Sequence, residues 1–175
     1  MVSPPAVTVE DASKVAMDQF GWQANVKALT GERDKNYLLH TQEVGDVVLK
    51  FINPAEAADE TDLQTQVLLW LEQQHCEVVV PKALRNRNRG LVSDYAVGEQ
   101  TYKVRAYTYL NGMAVAQAEM SEALQQSFGV RAAQLVMALD GFDHPALSRV
   151  LLWDVMHLSQ LRDWAIEVLT QDAMG

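Results

Sequence analysis

Lys50 stands inside an apolar run, Val47-Val48-Leu49-Lys50-Phe51. A strand of that composition is at least half buried, and a buried ammonium is costly unless an anion meets it. One source of anion is the acidic stretch that follows, with Glu56, Asp59, Glu60 and Asp62. Another is a bound phosphate. Upstream, Leu29-Thr30-Gly31-Glu32-Arg33-Asp34-Lys35-Asn36-Tyr37 reads as a turn between two strands. A turn rich in Gly, Asp and Asn can aim backbone N–H groups at phosphate oxygens, and Gly31, Asp34 and Asn36 are its candidates. Arg33 or Lys35 could add charge. Together these residues suit the anchoring of nucleotide phosphates by a lysine that an acid steadies. The plainer readings stay open beside it. Lys50 could snorkel from an edge strand, and the turn could be an ordinary hairpin.

The acid belongs on the helix after the strand, one or two turns in. Asp62 is the first candidate and Glu60 the second. Gln64 could supply a neutral hydrogen bond instead. Both acids could equally be solvated groups favouring the positive end of a helix. Further on, Tyr107-Thr108-Tyr109-Leu110-Asn111-Gly112 reads as a strand running into a hinge, where a base can hydrogen-bond to main chain. It could also be a strand that ends at a glycine turn.

The remaining chemistry-bearing residues form no such pattern. His40, His75, His144 and His157 include no helical metal pair, and no Cys/His cluster occurs. Trp153-Asp154 reads as an anchor for a helix start. Cys76 is the single cysteine, so no intrachain disulfide framework exists.

The elements that must position these groups follow from periodicity. Thr8 and Asp11 have capping-box spacing at the start of a short helix, with Val15 and Phe20 inward and Gly21 at its end. Strands are expected over 22–30, 35–41 and 47–52, and a helix over 56–74 with Leu63, Val67, Leu68, Trp70 and Leu71 on its apolar side. Short strands follow over 81–89 and 91–95. A longer one spans 100–110, with Tyr102, Val104, Ala106 and Thr108 on one face and Tyr107 and Tyr109 on the other. Beyond Gly112 the pattern is helical. Leu124, Phe128, Leu135 and Leu139 share a face, and a last helix is expected over 158–170. The expected division is a lead-in at 1–21, a β-rich lobe at 22–112 and a helical part at 113–175.

Composition bounds the rest. The chain has 175 residues, 49% of them hydrophobic, which allows a substantial core. A formal charge of −9 argues against nucleic-acid binding through a broad basic surface. The N-terminus lacks a signal-peptide pattern, and no apolar run approaches the ~20 residues of a membrane span. A cytoplasmic protein without a membrane partner is the expectation.

In this order the segments resemble the phosphotransferase enzyme family, which includes aminoglycoside phosphotransferases and choline, homoserine and hydroxylysine kinases. The likeness is greatest to hydroxylysine-kinase-like domains, including those fused ahead of class III aminotransferases. It is carried by residues 29–37, Val48-Leu49-Lys50-Phe51, Asp62-Leu63-Gln64-Thr65-Gln66, Val104-Arg105-Ala106-Tyr107-Thr108-Tyr109-Leu110-Asn111-Gly112, Phe142-Asp143-His144-Pro145-Ala146-Leu147 and Trp153-Asp154. The resemblance implies an α+β fold: a protein-kinase-like N-lobe of five antiparallel strands plus a helix, then the first helices of a helical C-lobe. It implies that Lys50 is the phosphate lysine, that Asp62 takes the place of its usual glutamate partner, and that Tyr109 and Leu110 meet adenine. ATP and Mg²⁺ are the implied cofactors, and a small hydroxylated amine or amino acid is the implied acceptor.

The sequence departs from the family most at the catalytic loop. The His-Gly-Asp loop, its following Asn and the later metal-binding Asp do not occur. Asp154 and Asp172 stand in other contexts. The expectation is therefore the N-terminal portion of a longer small-molecule kinase, inactive in phosphate transfer as it stands, with no Mg²⁺ ligands of its own. The alternatives are a non-catalytic binding or docking module that could form a homodimer, and a helical interaction protein.

Overall fold

The computed structural model describes residues 3–149 and, beyond them, 154–157, 159, 162, 163 and 166. The chain divides into two compact units, Met1–Phe142 and Asp143–Gly175. The long helix after Gly112 is thus part of the first unit. Trp153 and most of the helix expected over 158–170 lie outside the described residues.

Helix α1 (Val9–Val15) starts as its sequence requires. The Thr8 hydroxyl accepts from the Asp11 N–H, and the Asp11 carboxylate accepts from the Thr8 N–H at 2.9 Å. The helix widens into a π-helical turn over Ala16–Phe20 and stops at Gly21, whose φ of 81° suits glycine. Strands β1 (Ala24–Leu29), β2 (Lys35–Thr41) and β3 (Asp46–Phe51) form an antiparallel meander. Helix α2 (Ala58–Gln73) follows, then β4 (Ala83–Leu84), β5 (Ser93–Val97), β6 (Gln100–Thr108) and helix α3 (Glu122–Ala138).

The sheet order is β1-β2-β3-β6-β4, with β5 also paired to β6. β5 takes residues 100–104 of β6, and β4 takes 106 and 107. The sheet is therefore five strands wide, with its last place shared by two short segments. The expected strand over 81–89 shrinks to two residues. Its basic end, Arg85-Asn86-Arg87-Asn88-Arg89, has no apolar alternation to bury. It turns instead, closed by Asn86 N–H to the Gly90 carbonyl at 2.8 Å.

Period-two alternation gives the sheet two unlike faces. Val47, Leu49 and Phe51 are fully buried on the α1 side, with Tyr37, Leu39, Tyr102, Val104 and Ala106. α1 and its π turn close that core with Ala12, Val15, Ala16 and Phe20. Phe51 meets the Tyr37 and Tyr95 rings edge-on, each at 5.9 Å. The opposite face carries Leu38, Val48, Lys50, Arg105 and Tyr107, beneath α2.

α2 buries Leu63 and Leu71, together with Thr61 and Thr65. Both hydroxyls are paired, Thr61 to Glu56 at 2.7 Å and Thr65 to the Thr61 carbonyl at 3.0 Å, so their burial leaves no orphan. The Trp70 indole donates to the Ala138 carbonyl at 2.8 Å and ties α2 to the end of α3. α3 itself buries no residue fully and leaves Phe128, Val130, Val136 and Met137 exposed. In the second unit, His144 Nδ1 accepts from the Ala146 N–H at 3.1 Å and caps the 3-10 turn Pro145–Ser148.

Candidate functional site

The β2–β3 register places Asn36 opposite Lys50, and the β3–β6 register places Arg105 opposite Lys50 on the other side. Directly opposed residues share a face, so Asn36, Lys50 and Arg105 form a polar row across three strands. Lys50 Nζ lies 2.5 Å from Asp34 Oδ2, and both side chains are mostly buried. The other Asp34 oxygen accepts from the Asn53 N–H at 2.8 Å. Asn53 is buried and anchors the turn itself. Its amide donates to the Arg33 carbonyl at 2.8 Å and the Ser3 carbonyl at 3.0 Å, and its oxygen accepts from the Ala55 N–H.

Gly31 is required by this closure. A Cβ there would lie 2.6 Å from the Asp34 carbonyl oxygen and 2.8 Å from the Asn36 amide. The structure thus brings Gly31, Asp34, Asn36 and Lys50 into one cluster.

Asp62 is elsewhere. It is exposed on α2, accepts from Gln66 at 3.2 Å, and lines a cavity of about 500 Å³ with Glu56, Ile52, Val92 and Lys103. The carboxylate paired with Lys50 comes from the β1–β2 turn and not from α2. The polar α2 side chain that shares a groove with Lys50 is that of Gln64. With Lys50, Arg105, Tyr107, Val67 and Leu68 it lines a groove of about 300 Å³. Arg105 donates from Nη2 to the Gln64 side-chain oxygen. Tyr109 donates its N–H to the Asp46 carbonyl at 2.9 Å, and Leu110 follows it, 41% exposed, where the strand has ended.

The electrostatics follow from burial. Arg105 is only 7% exposed. Burial pulls its pKa below the ordinary arginine value, while the charges of Glu56, Tyr107 and Asp34 push back. Burial raises the Tyr107 hydroxyl, Arg105 opposes that, and Asp34 adds to it. Asn36 Oδ1 and Arg105 Nε are buried with no hydrogen-bond partner, in the same row as the paired Lys50 Nζ and Arg105 Nη2.

A groove with two cations, one carboxylate in direct contact and a tight polar turn beside it can take an anion such as a nucleotide phosphate. Among the described residues no group of three or more His, Cys, Asp or Glu is placed to hold a metal ion. Sequence reasoning passed over Arg105, although the alternation that put Tyr107 opposite Ala106 puts Arg105 on the same side as Tyr107. Asn53 left no signal, because its side chain's partners are main-chain groups.

Known proteins share this arrangement of elements. Hydroxylysine kinase of Mus musculus is 29% identical over 160 residues, and that of Danio rerio 30% identical over 150. Each match covers 82% of this chain and 42% of the relative. The chain thus spans less than half the length of the curated relatives it matches. Among solved structures, a microcompartment-associated aminopropanol kinase superposes with a TM-score of 0.62 at 18% identity, covering 86% of this chain and 46% of that one. An amicoumacin kinase in complex with AMP-PNP and Ca²⁺ gives 0.70 at 15% identity, covering 87% and 46%. These likenesses show the fold: a kinase-like α+β lobe with helices following it. Residues 25–173 match the model of one family, so the lysine strand, its turn and its helix are those of a member of the phosphotransferase enzyme family.

Proposed function

We propose that this chain is the nucleotide-binding part of an ATP-dependent kinase that phosphorylates a hydroxyl of an amino-alcohol or hydroxylated amino acid. The observation that carries the reading is Lys50: a mostly buried lysine in an anion-ready groove, on the strand where the family resemblance implies a phosphate lysine. In this reading Lys50 holds phosphate oxygens of the nucleotide, and Asp34 keeps the ammonium in place. The turn at 31–36 closes over the phosphates, and Tyr109 and Leu110 border the base. Gln64, rather than Asp62, is the α2 group beside the lysine.

The acceptor class rests on the relatives. Hydroxylysine and aminopropanol, the names carried by two of these kinases, each combine an amine with a hydroxyl. The AMP-PNP and Ca²⁺ in the amicoumacin kinase complex support nucleotide and divalent-cation use. The described residues do not supply a metal's ligand set, so no step is assigned to one. The protein's own part is to bind and orient the phosphate chain.

Calorimetric titration of AMP-PNP into this chain tests the reading. Lys50→Ala is expected to weaken binding about tenfold or more, the scale of one lost charge-assisted contact. Circular dichroism should show a folded variant. Equal affinity in the parent and in Lys50→Ala would remove Lys50 from the site.

A further inference from the structure

Lys50 and Arg105 lie directly opposite one another on adjacent strands and share a face. Like charges so placed repel, and a mostly buried pair would repel strongly unless each had its own partner. The two partners come from different elements. Lys50 is met by Asp34 of the β1–β2 turn, and Arg105 by Gln64 of α2. The first partner is charged and the second is neutral.

We infer that Arg105 is a positioning residue: it latches α2 to the sheet through Gln64 and, because Gln64 carries no charge, leaves the groove at Lys50 short of negative charge. Four observations support this. Arg105 is 7% exposed, yet its Nε finds no acceptor. Its hydrogen bond to Gln64 joins β6 directly to α2, far apart in sequence. Gln64 lines the same groove as Lys50. Asp62 of α2, with Glu56 just before the helix, lines a separate cavity with Lys103. A carboxylate at position 64 would hold Arg105 as well or better, but it would also neutralise the groove. The glutamine keeps the latch and spares the positive charge for an incoming phosphate. This second consequence rests on the nucleotide-binding reading above; the latch does not.

The experiment combines amide hydrogen exchange of the whole chain with AMP-PNP titration. Arg105→Met and Gln64→Leu should each speed exchange of α2 amides about tenfold, the scale of one hydrogen bond to a charged group, with β1 to β3 unchanged. Because they break the same contact, the double variant should exchange no faster than the faster single. Gln64→Glu separates positioning from mere stability. It should keep α2 at least as protected as in the parent while lowering AMP-PNP affinity about five- to tenfold.

Unchanged α2 exchange in both Arg105→Met and Gln64→Leu overturns the latch, as does full additivity in the double variant. Gln64→Glu with parental affinity overturns the charge-sparing role. Should Arg105→Met fail to fold, Gln64→Leu and Gln64→Glu still decide. If Lys50→Ala leaves AMP-PNP affinity unchanged while α2 loosens in the latch variants, the nucleotide reading fails and the latch stands.

Discussion

The two faces of the sheet are built from the same strands and do opposite things. On the α1 face every inward residue of β3 is apolar and fully buried, and aromatic rings fill the space between strands and helix. Polar groups enter only at its margin and are paired there: the Tyr37 hydroxyl donates to the Val7 carbonyl at 2.6 Å and Tyr95 to Asp11 at 2.8 Å. On the α2 face the same alternation delivers Asn36, Lys50 and Arg105 to one row, with two buried polar atoms unpaired and a groove beside them. One face is closed and stabilises the fold. The other keeps charge under a helix, which costs stability and suits a ligand.

The largest expected effect tests that asymmetry directly. Phe51→Ala empties a fully buried aromatic site and removes two edge-on ring contacts. It should cost about 3–5 kcal/mol in urea unfolding. Lys50→Ala, the next residue along the same strand, should cost about 1–3 kcal/mol, by leaving the Asp34 carboxylate with only the Asn53 N–H. Adding Asp34→Asn should recover part of that loss, since the orphan would then be neutral. If Lys50→Ala proved the more damaging of the two, the charged row would be part of the core and the contrast between faces would collapse.

The same contrast explains what could be read from the chain. The α1 face was legible because alternation and burial agree there: 47, 49 and 51 are apolar, as are 102, 104 and 106, and Thr8 with Asp11 announces its own helix. On the α2 face the lysine and the turn were legible, but the pairing was not. The acid that meets Lys50 depends on the hairpin register, which sets Asn36 opposite Lys50 and leaves Asp34 at the strand's mouth. The alternative acid depends on helix phase. Positions 62 and 64 lie about 200° apart around a helix, so a two-residue difference moves a side chain from the groove to the far side. Sequence patterns do not fix a helix start to that accuracy. The length of β4 was illegible for a related reason: it is set by where β5 ends along β6, a tertiary competition for one edge.

The smallest effect examines the closed face at its polar margin, and it has a pH signature on both sides. The backbone N–H of Thr8 and the hydrogen bonds from Tyr95 and Thr8 hold the Asp11 pKa below its ordinary 3.8, against the effect of partial burial. A carboxylate lowered on folding adds stability that is fully present above its unfolded value and is lost as pH falls through the folded one. The partner behaves in the reverse sense. Burial and the bond to Asp11 push the Tyr95 hydroxyl up to about 12. Its contribution is complete below the unfolded value of 10.0 and is lost as pH rises toward 12. Asp11→Ala should therefore cost about 1 kcal/mol near neutral pH, the scale of a helix-cap contact. The gap between parent and variant should close below pH 3.8 and narrow again above pH 10.0. Urea titrations of both proteins across that range measure it. A gap that persists unchanged in acid would mean that Asp11 acts by packing alone, and the margin of the closed face would then owe nothing to charge.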